Sequence, residues 1–77
     1  MTMQIRLKLM GILRAKAPEG NLLDIPDGAS IEDVMQTLDI PTTHVHLAMI
    51  DGQHQRDRTT SLAENQELML MPPVGGG

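Results

Sequence analysis

The residues with the most distinctive chemistry in this chain are those without side chains. Gly75-Gly76-Gly77 follow Val74 and the stretch Leu68-Met69-Leu70-Met71-Pro72-Pro73. Glycine loses the most entropy on ordering, so three in a row make poor structural material. They suit a backbone that must slide through a passage too narrow for a Cβ. Pro72 and Pro73 lack backbone N–H groups and hold φ near one value, so strand pairing should stop at Met71. The pair then favours an extended, polyproline-like path that carries the end away from the body. At about 3.5 Å per residue, Val74 to Gly77 span roughly 14 Å. That reach is enough to put the α-carboxylate of Gly77 inside another protein's active site. The plainer alternative is a frayed end, since disorder gathers at termini. A double proline directly behind a well-patterned strand argues against it.

Side chains offer less. His44 and His46 stand at i, i+2, with His54 as a conceivable third metal ligand. They lack a preferred fourth ligand and read better as solvated strand histidines, so no metal is expected. Arg56-Asp57-Arg58 reads as a solvated charge run. Asp24, Asp27, Glu32, Asp33 and Asp39 are scattered cap and surface carboxylates rather than a paired acid and base. Glycines 11, 20, 28 and 52 are isolated turn signals without phosphate-binding spacing. Absence of cysteine excludes a disulfide, a thiolate nucleophile and a cysteine metal site.

Composition narrows the class further. Seventy-seven residues make one domain near the lower limit for a self-sufficient core. Aromatic residues are absent, so aliphatic residues and methionine must fill that core, and no platform for stacking bases exists. A net charge of −4 also argues against nucleic acid and against anionic membrane surfaces. The first residues lack the apolar run of a signal peptide, and no segment is long enough to span a bilayer. A cytoplasmic, soluble, acidic domain is expected.

The elements that must position the glycine end can be placed in order. Met3 to Leu9 alternates strictly, with Met3, Ile5, Leu7 and Leu9 facing inward, which predicts a half-buried strand. Gly11 breaks the run, and Ile12 to Ala17 is either a short helical turn or an irregular loop. Pro18 to Asn21 is a turn, and Leu22 to Ile25 a short strand antiparallel to the first. Ser30 then caps a helix, with Asp33 in a capping-box-like position. Ile31, Val34, Met35 and Leu38 form one apolar stripe, so a helix over 31–38 is expected, ended by Pro41. His44 to Ile50 reads as a strand with Val45, Leu47 and Met49 on its inner face. Asp51-Gly52 signals a hairpin, and Gln53 to Arg58 contains a short edge strand. Thr59 to Asn65 reads as a loop with one helical turn, where Leu62 plugs the core. Glu67 to Met71 is the last strand, with Leu68 and Leu70 inside and Met69 and Met71 on the face away from the helix. Those two methionines either prepare a docking surface or simply replace aromatic filler. One helix must cover one face of a mixed sheet. The result is an α+β roll, with strands 3–10 and 67–71 side by side at its centre.

This order, ending in Pro72-Pro73-Val74-Gly75-Gly76-Gly77, resembles the β-grasp sulfur carrier proteins: the molybdopterin synthase small subunit and the thiamine-pathway sulfur carrier, relatives of ubiquitin. Pro26-Asp27-Gly28-Ala29-Ser30-Ile31-Glu32-Asp33-Val34 and Leu47-Ala48-Met49-Ile50-Asp51-Gly52 carry the likeness over the rest of the chain. Pro72-Pro73-Val74 is more similar to the molybdopterin branch. The chain departs from the family in three places. Gly75 replaces a small residue, Asn65-Gln66 stand where Gly-Asp is usual, and Met71 stands where an aromatic is common.

The resemblance implies a β-grasp domain over 1–73 and a flexible tail over 74–77. It implies a carrier rather than an enzyme, one that can serve as the small subunit of a synthase. Gly77 would be adenylated by a ubiquitin-activating-type enzyme, which uses the ATP; the carrier binds no cofactor. A sulfur donor would convert the adenylate to a thiocarboxylate that delivers sulfur to an acceptor synthase. That acceptor would be the molybdopterin synthase large subunit or thiazole synthase. Gly76 would share the reacting site, and Gly75, Val74, Met69 and Met71 would meet the partner. A ubiquitin-like modifier conjugated through Gly77, or a binding module with an unused tail, are the alternatives.

Overall fold

Period-two patterning at the start of the chain produces the strand it predicts. In this computed structural model, which describes residues 1–73, Thr2–Leu9 form β1, with Met3, Ile5, Leu7 and Leu9 buried and the alternate residues exposed. The other strands are β2 (Leu22–Pro26), β3 (Leu47–Ile50), β4 (Gln53–Gln55) and β5 (Glu67–Met71). They make one mixed sheet in the order β2-β1-β5-β3-β4. The central pair, β1 and β5, is parallel, and the remaining neighbours are antiparallel. Parallel neighbours need a long crossover, which here contains the main helix, α1 (Ile31–Thr37).

Helix α1 begins as its cap dictates. The Asp33 N–H donates to Ser30 Oγ at 3.2 Å, and the Ser30 N–H donates to Asp33 Oδ2 at 2.9 Å. This closes a full capping box despite Asp in place of Glu. The helix stops before Pro41 can act. Asp39 turns left-handed with φ 58°, its N–H donates to the Gln36 carbonyl, and the Ile40 N–H donates to the Met35 carbonyl at 2.8 Å. That is a Schellman motif with Asp in the position glycine usually takes. Pro41 instead precedes a short 3-10 turn at Thr42–His44.

Ile31, Val34 and Met35 join the inward residues of β1, β2, β3 and β5 in one buried cluster, and Leu38 packs at its edge. Leu13, held by a 3-10 helix over Gly11–Lys16, and Leu62 complete it.

Three local expectations need correction. The third strand starts at Leu47 rather than His44 and turns its other face inward: Ala48 and Ile50 are buried, while Leu47 and Met49 are half-buried on the outside. The 3-10 turn and a bend at His46 restart the alternation, so a count begun at buried Val45 arrives out of phase. Second, Thr59 to Asn65 contains no helical turn; the segment is held by two reverse turns and an isolated bridge between Ser30 and Ser61. Third, Arg56-Asp57-Arg58 is not simply a solvated run. Half-buried Arg58 donates to the Val45 carbonyl at 3.3 Å and the Gln55 carbonyl at 3.4 Å, and its own carbonyl accepts the Glu32 N–H at 2.8 Å. It staples the loop between the last two strands to the start of α1.

Candidate functional site

The strand that precedes the glycine end in sequence lies in the middle of the sheet. β5 lies between β1 and β3, so its path is fixed on both sides up to Pro72. The Met10 N–H donates to the Leu70 carbonyl at 3.0 Å, and the His46 N–H donates to the Met71 carbonyl at 2.8 Å. Met71 is therefore the last paired residue, where the proline pair was expected to stop the ladder. Val74, Gly75, Gly76 and Gly77 lie outside the described residues.

At the other end of β5, the loop before the strand is tied to β1. The Asn65 N–H donates to the Gln4 carbonyl at 2.8 Å, and the Arg6 N–H donates to the Gln66 carbonyl at 2.9 Å. Asn65 adopts φ 66°, a left-handed conformation that Asn tolerates better than most residues. The departure from Gly-Asp at this point thus preserves the backbone turn that a glycine would make. The hairpin Asp51-Gly52, both residues at positive φ as a type I′ turn requires, abuts the same strand start. Asp51 Oδ1 accepts the Glu67 N–H at 2.9 Å.

Strand parity sorts the methionines. Leu68 and Leu70 are fully buried, while Met69 and Met71 are half-buried on the opposite face. Directly across the antiparallel ladder, Met69 stands opposite Met49 and Met71 opposite Leu47, and opposed residues share a face. Lys8 of β1 is the other neighbour of Met69. An apolar patch of Leu47, Met49, Met69 and Met71, edged by a cation, therefore lies along the exit strand. Leu47 and Met49 were missed because β3 was read in the wrong phase. The hairpin at Asp51-Gly52 could not have corrected it, because it joins β3 to β4, whose residues are polar and none of them buried.

The other sequence candidates do not assemble. His44 sits in the 3-10 turn, His46 in the following bend and His54 on edge strand β4, so the expected pair on one strand face does not exist. Among the described residues no group of three His, Cys, Asp or Glu side chains is arranged to hold a metal ion. Asp57 lies in an exposed turn before Thr59. Hydrogen bonds from the Thr59 hydroxyl and N–H hold its carboxyl below the usual 3.8. That turn belongs to the Arg58 staple and not to the exit. No helix of the described residues is long and apolar enough to cross a membrane.

A family model described as the ThiS family matches residues 7–77. The solution structure of the Haloferax volcanii HVO 2177 protein is similar at 22% identity, with a TM-score of 0.74 over 99% of this chain and 88% of that one. The crystal structure of H. volcanii small archaeal modifier protein 1 is 18% identical, with a TM-score of 0.69 over 94% and 99%. A chain from the complex of subunits 1 and 2 of molybdopterin-converting factor from Helicobacter pylori 26695 is 16% identical, with a TM-score of 0.61 over 97% and 100%. No curated protein sequence matches the chain. At these identities the likeness to solved structures is one of fold. The fold is the ubiquitin-like β-grasp.

Proposed function

Because the chain belongs to the ThiS family, we propose that it is a sulfur carrier whose Gly77 carboxylate is activated and converted to a thiocarboxylate. One observation carries the proposal: Pro72-Pro73 lead from the central strand of a β-grasp sheet directly into Val74-Gly75-Gly76-Gly77. A free carboxylate is a poor electrophile, so activation must be covalent. A ubiquitin-activating-type enzyme supplies ATP; a carboxylate oxygen attacks the α-phosphorus, and pyrophosphate leaves. Sulfide-level sulfur from a donor then attacks the acyl carbon, and AMP departs with the oxygen it had captured. On the acceptor synthase the thiocarboxylate sulfur bonds to the acceptor substrate. Water then adds to the acyl carbon, the C–S bond breaks with the sulfur left on the acceptor, and the Gly77 carboxylate is regenerated.

This chain's part is to bind, orient and present. No side chain of its own needs to be catalytic, and it acts as co-substrate, or as small subunit once docked on the acceptor. Leu47, Met49, Met69 and Met71 provide the docking surface, while Val74, Gly75 and Gly76 thread the reacting end. Holding that end at the reactive distance is the main contribution required of the interface. Pro72-Pro73-Val74 favours a molybdopterin-type acceptor over thiazole synthase.

A second reading is a ubiquitin-like modifier joined through Gly77 to lysines, favoured by the likeness in fold to a small archaeal modifier protein. ATP–pyrophosphate exchange with the source organism's adenylating enzyme tests the step that both readings share. Exchange should require Gly77; exchange undiminished by its deletion would leave only a β-grasp binding module with an unused tail.

A further inference from the structure

Gly11, Gly20, Gly28 and Gly52 all have positive φ, but only Gly11 has anything within 4 Å of where a Cβ would stand. At Gly11 (φ 56°) that Cβ would lie 2.9 Å from Pro72 Cγ and 3.5 Å from Pro72 Cδ. The proline ring thus occupies the space that any other L-residue would fill. We propose that Gly11 is a positioning residue, whose bare backbone seats the Pro72 ring and so sets the direction in which the chain leaves the sheet.

The two sides of this contact are not equally free to move. Met10, just before Gly11, is bonded to the Leu70 carbonyl at 3.0 Å, and its own carbonyl accepts the Leu13 N–H at 3.1 Å. Leu13 is only 2% exposed and anchors the 3-10 helix that starts at Gly11. On the other strand, Met71 is held by the His46 bond at 2.8 Å and by its pairing with Leu47. Pro72 is the first residue past these restraints. Its ring fixes φ and its peptide bond is planar. A side chain at position 11 would therefore be relieved by a small turn in ψ of Met71 that tilts the Pro72 ring as a unit, bending the His46 bond and swinging the exit. Once a partner draws the last four residues out to their full reach of roughly 14 Å, a swing of about 10° at their base displaces the end by about 2.4 Å. Misplacement of about 1 Å is enough to cost on the order of a hundredfold in a positioned reaction. The functional consequence rests on the carrier reading; the seat itself does not.

Gly11→Asn separates contact from strain, because Asn tolerates positive φ yet carries a Cβ. Pro72→Ala removes the ring from the other side of the contact without touching the backbone at Gly11. The test is a double-mutant cycle with these two substitutions, read in two ways. In ATP–pyrophosphate exchange with the source organism's adenylating enzyme, Gly11→Asn should lower kcat about tenfold or more while KM for the carrier stays near wild type, since the docking face is intact. In the Pro72→Ala background the same substitution should have no further effect. Cα–Hα residual dipolar couplings at Pro73, referred to the sheet, should change in both single variants while the sheet's own couplings do not. Unchanged Pro73 couplings in Gly11→Asn, or an equal fall in kcat in both backgrounds, would overturn the proposal. A wild-type chain that is never adenylated would instead overturn the carrier reading, and the couplings would still decide whether Gly11 seats Pro72.

Discussion

Leu7 and Met69 sit on the two central strands and face opposite ways, so single substitutions at them should have opposite signatures. Leu7 is 4% exposed and pairs with fully buried Leu68. Leu7→Ala should cost about 2–5 kcal/mol in denaturant unfolding, a large share of what holds so small a domain together. Met69 lies on the outer face beside Lys8, where a carboxylate gains a cross-strand cation. Met69→Glu should therefore leave the unfolding midpoint close to wild type while weakening binding to the adenylating enzyme, measured by titration calorimetry. A loss of stability matching that of Leu7→Ala would contradict the placement of Met69 outside the core.

At the scale of elements, the loop between β4 and β5 depends on the turn at Asp57. Its carboxyl is held below the ordinary 3.8 by the Thr59 hydroxyl and N–H, and that turn precedes the Arg58 staple. A lowered folded-state pKa contributes stability that is complete above the unfolded value and is lost as pH falls through the folded one. Wild type should therefore exceed Asp57→Ala in unfolding midpoint at about pH 6, and the gap should close towards about pH 2. A pH-independent gap would mean that the carboxylate charge has no part in the turn. Arg58→Ala should cost about 1 kcal/mol through its two carbonyl bonds. The sequence hid this staple because a run of alternating charges has the composition of a solvated face, and its carbonyl partners are distant in sequence. By contrast β1, β5, the hairpin and the start of α1 were legible, each written in local periodicity, a turn dipeptide or a capping pair. The end of α1 was not, because Asp39 takes a left-handed position that composition assigns to glycine. Phase in β3 was lost for a similar reason, since a 3-10 turn intervened between Val45 and the strand.

For the whole molecule, the buried cluster runs from Met3 to Leu70, so the fold is complete before the proline pair. Stability and function should then separate at the glycine end. The exit strand and half of its apolar patch were readable beforehand; the other half, Leu47 and Met49, needed the sheet's register. Deleting Gly77, or adding one alanine after it, should leave the unfolding midpoint unchanged and abolish adenylation, because the reacting carboxylate no longer sits where the ATP chemistry occurs. The most direct test of the carrier account is intact-mass measurement of the protein after incubation with its adenylating enzyme, ATP and a sulfur donor. The account predicts a gain of about 16 Da, sulfur for oxygen, in the wild-type chain and none in the chain lacking Gly77. No gain in the wild type, or the same gain in the truncated chain, would contradict it.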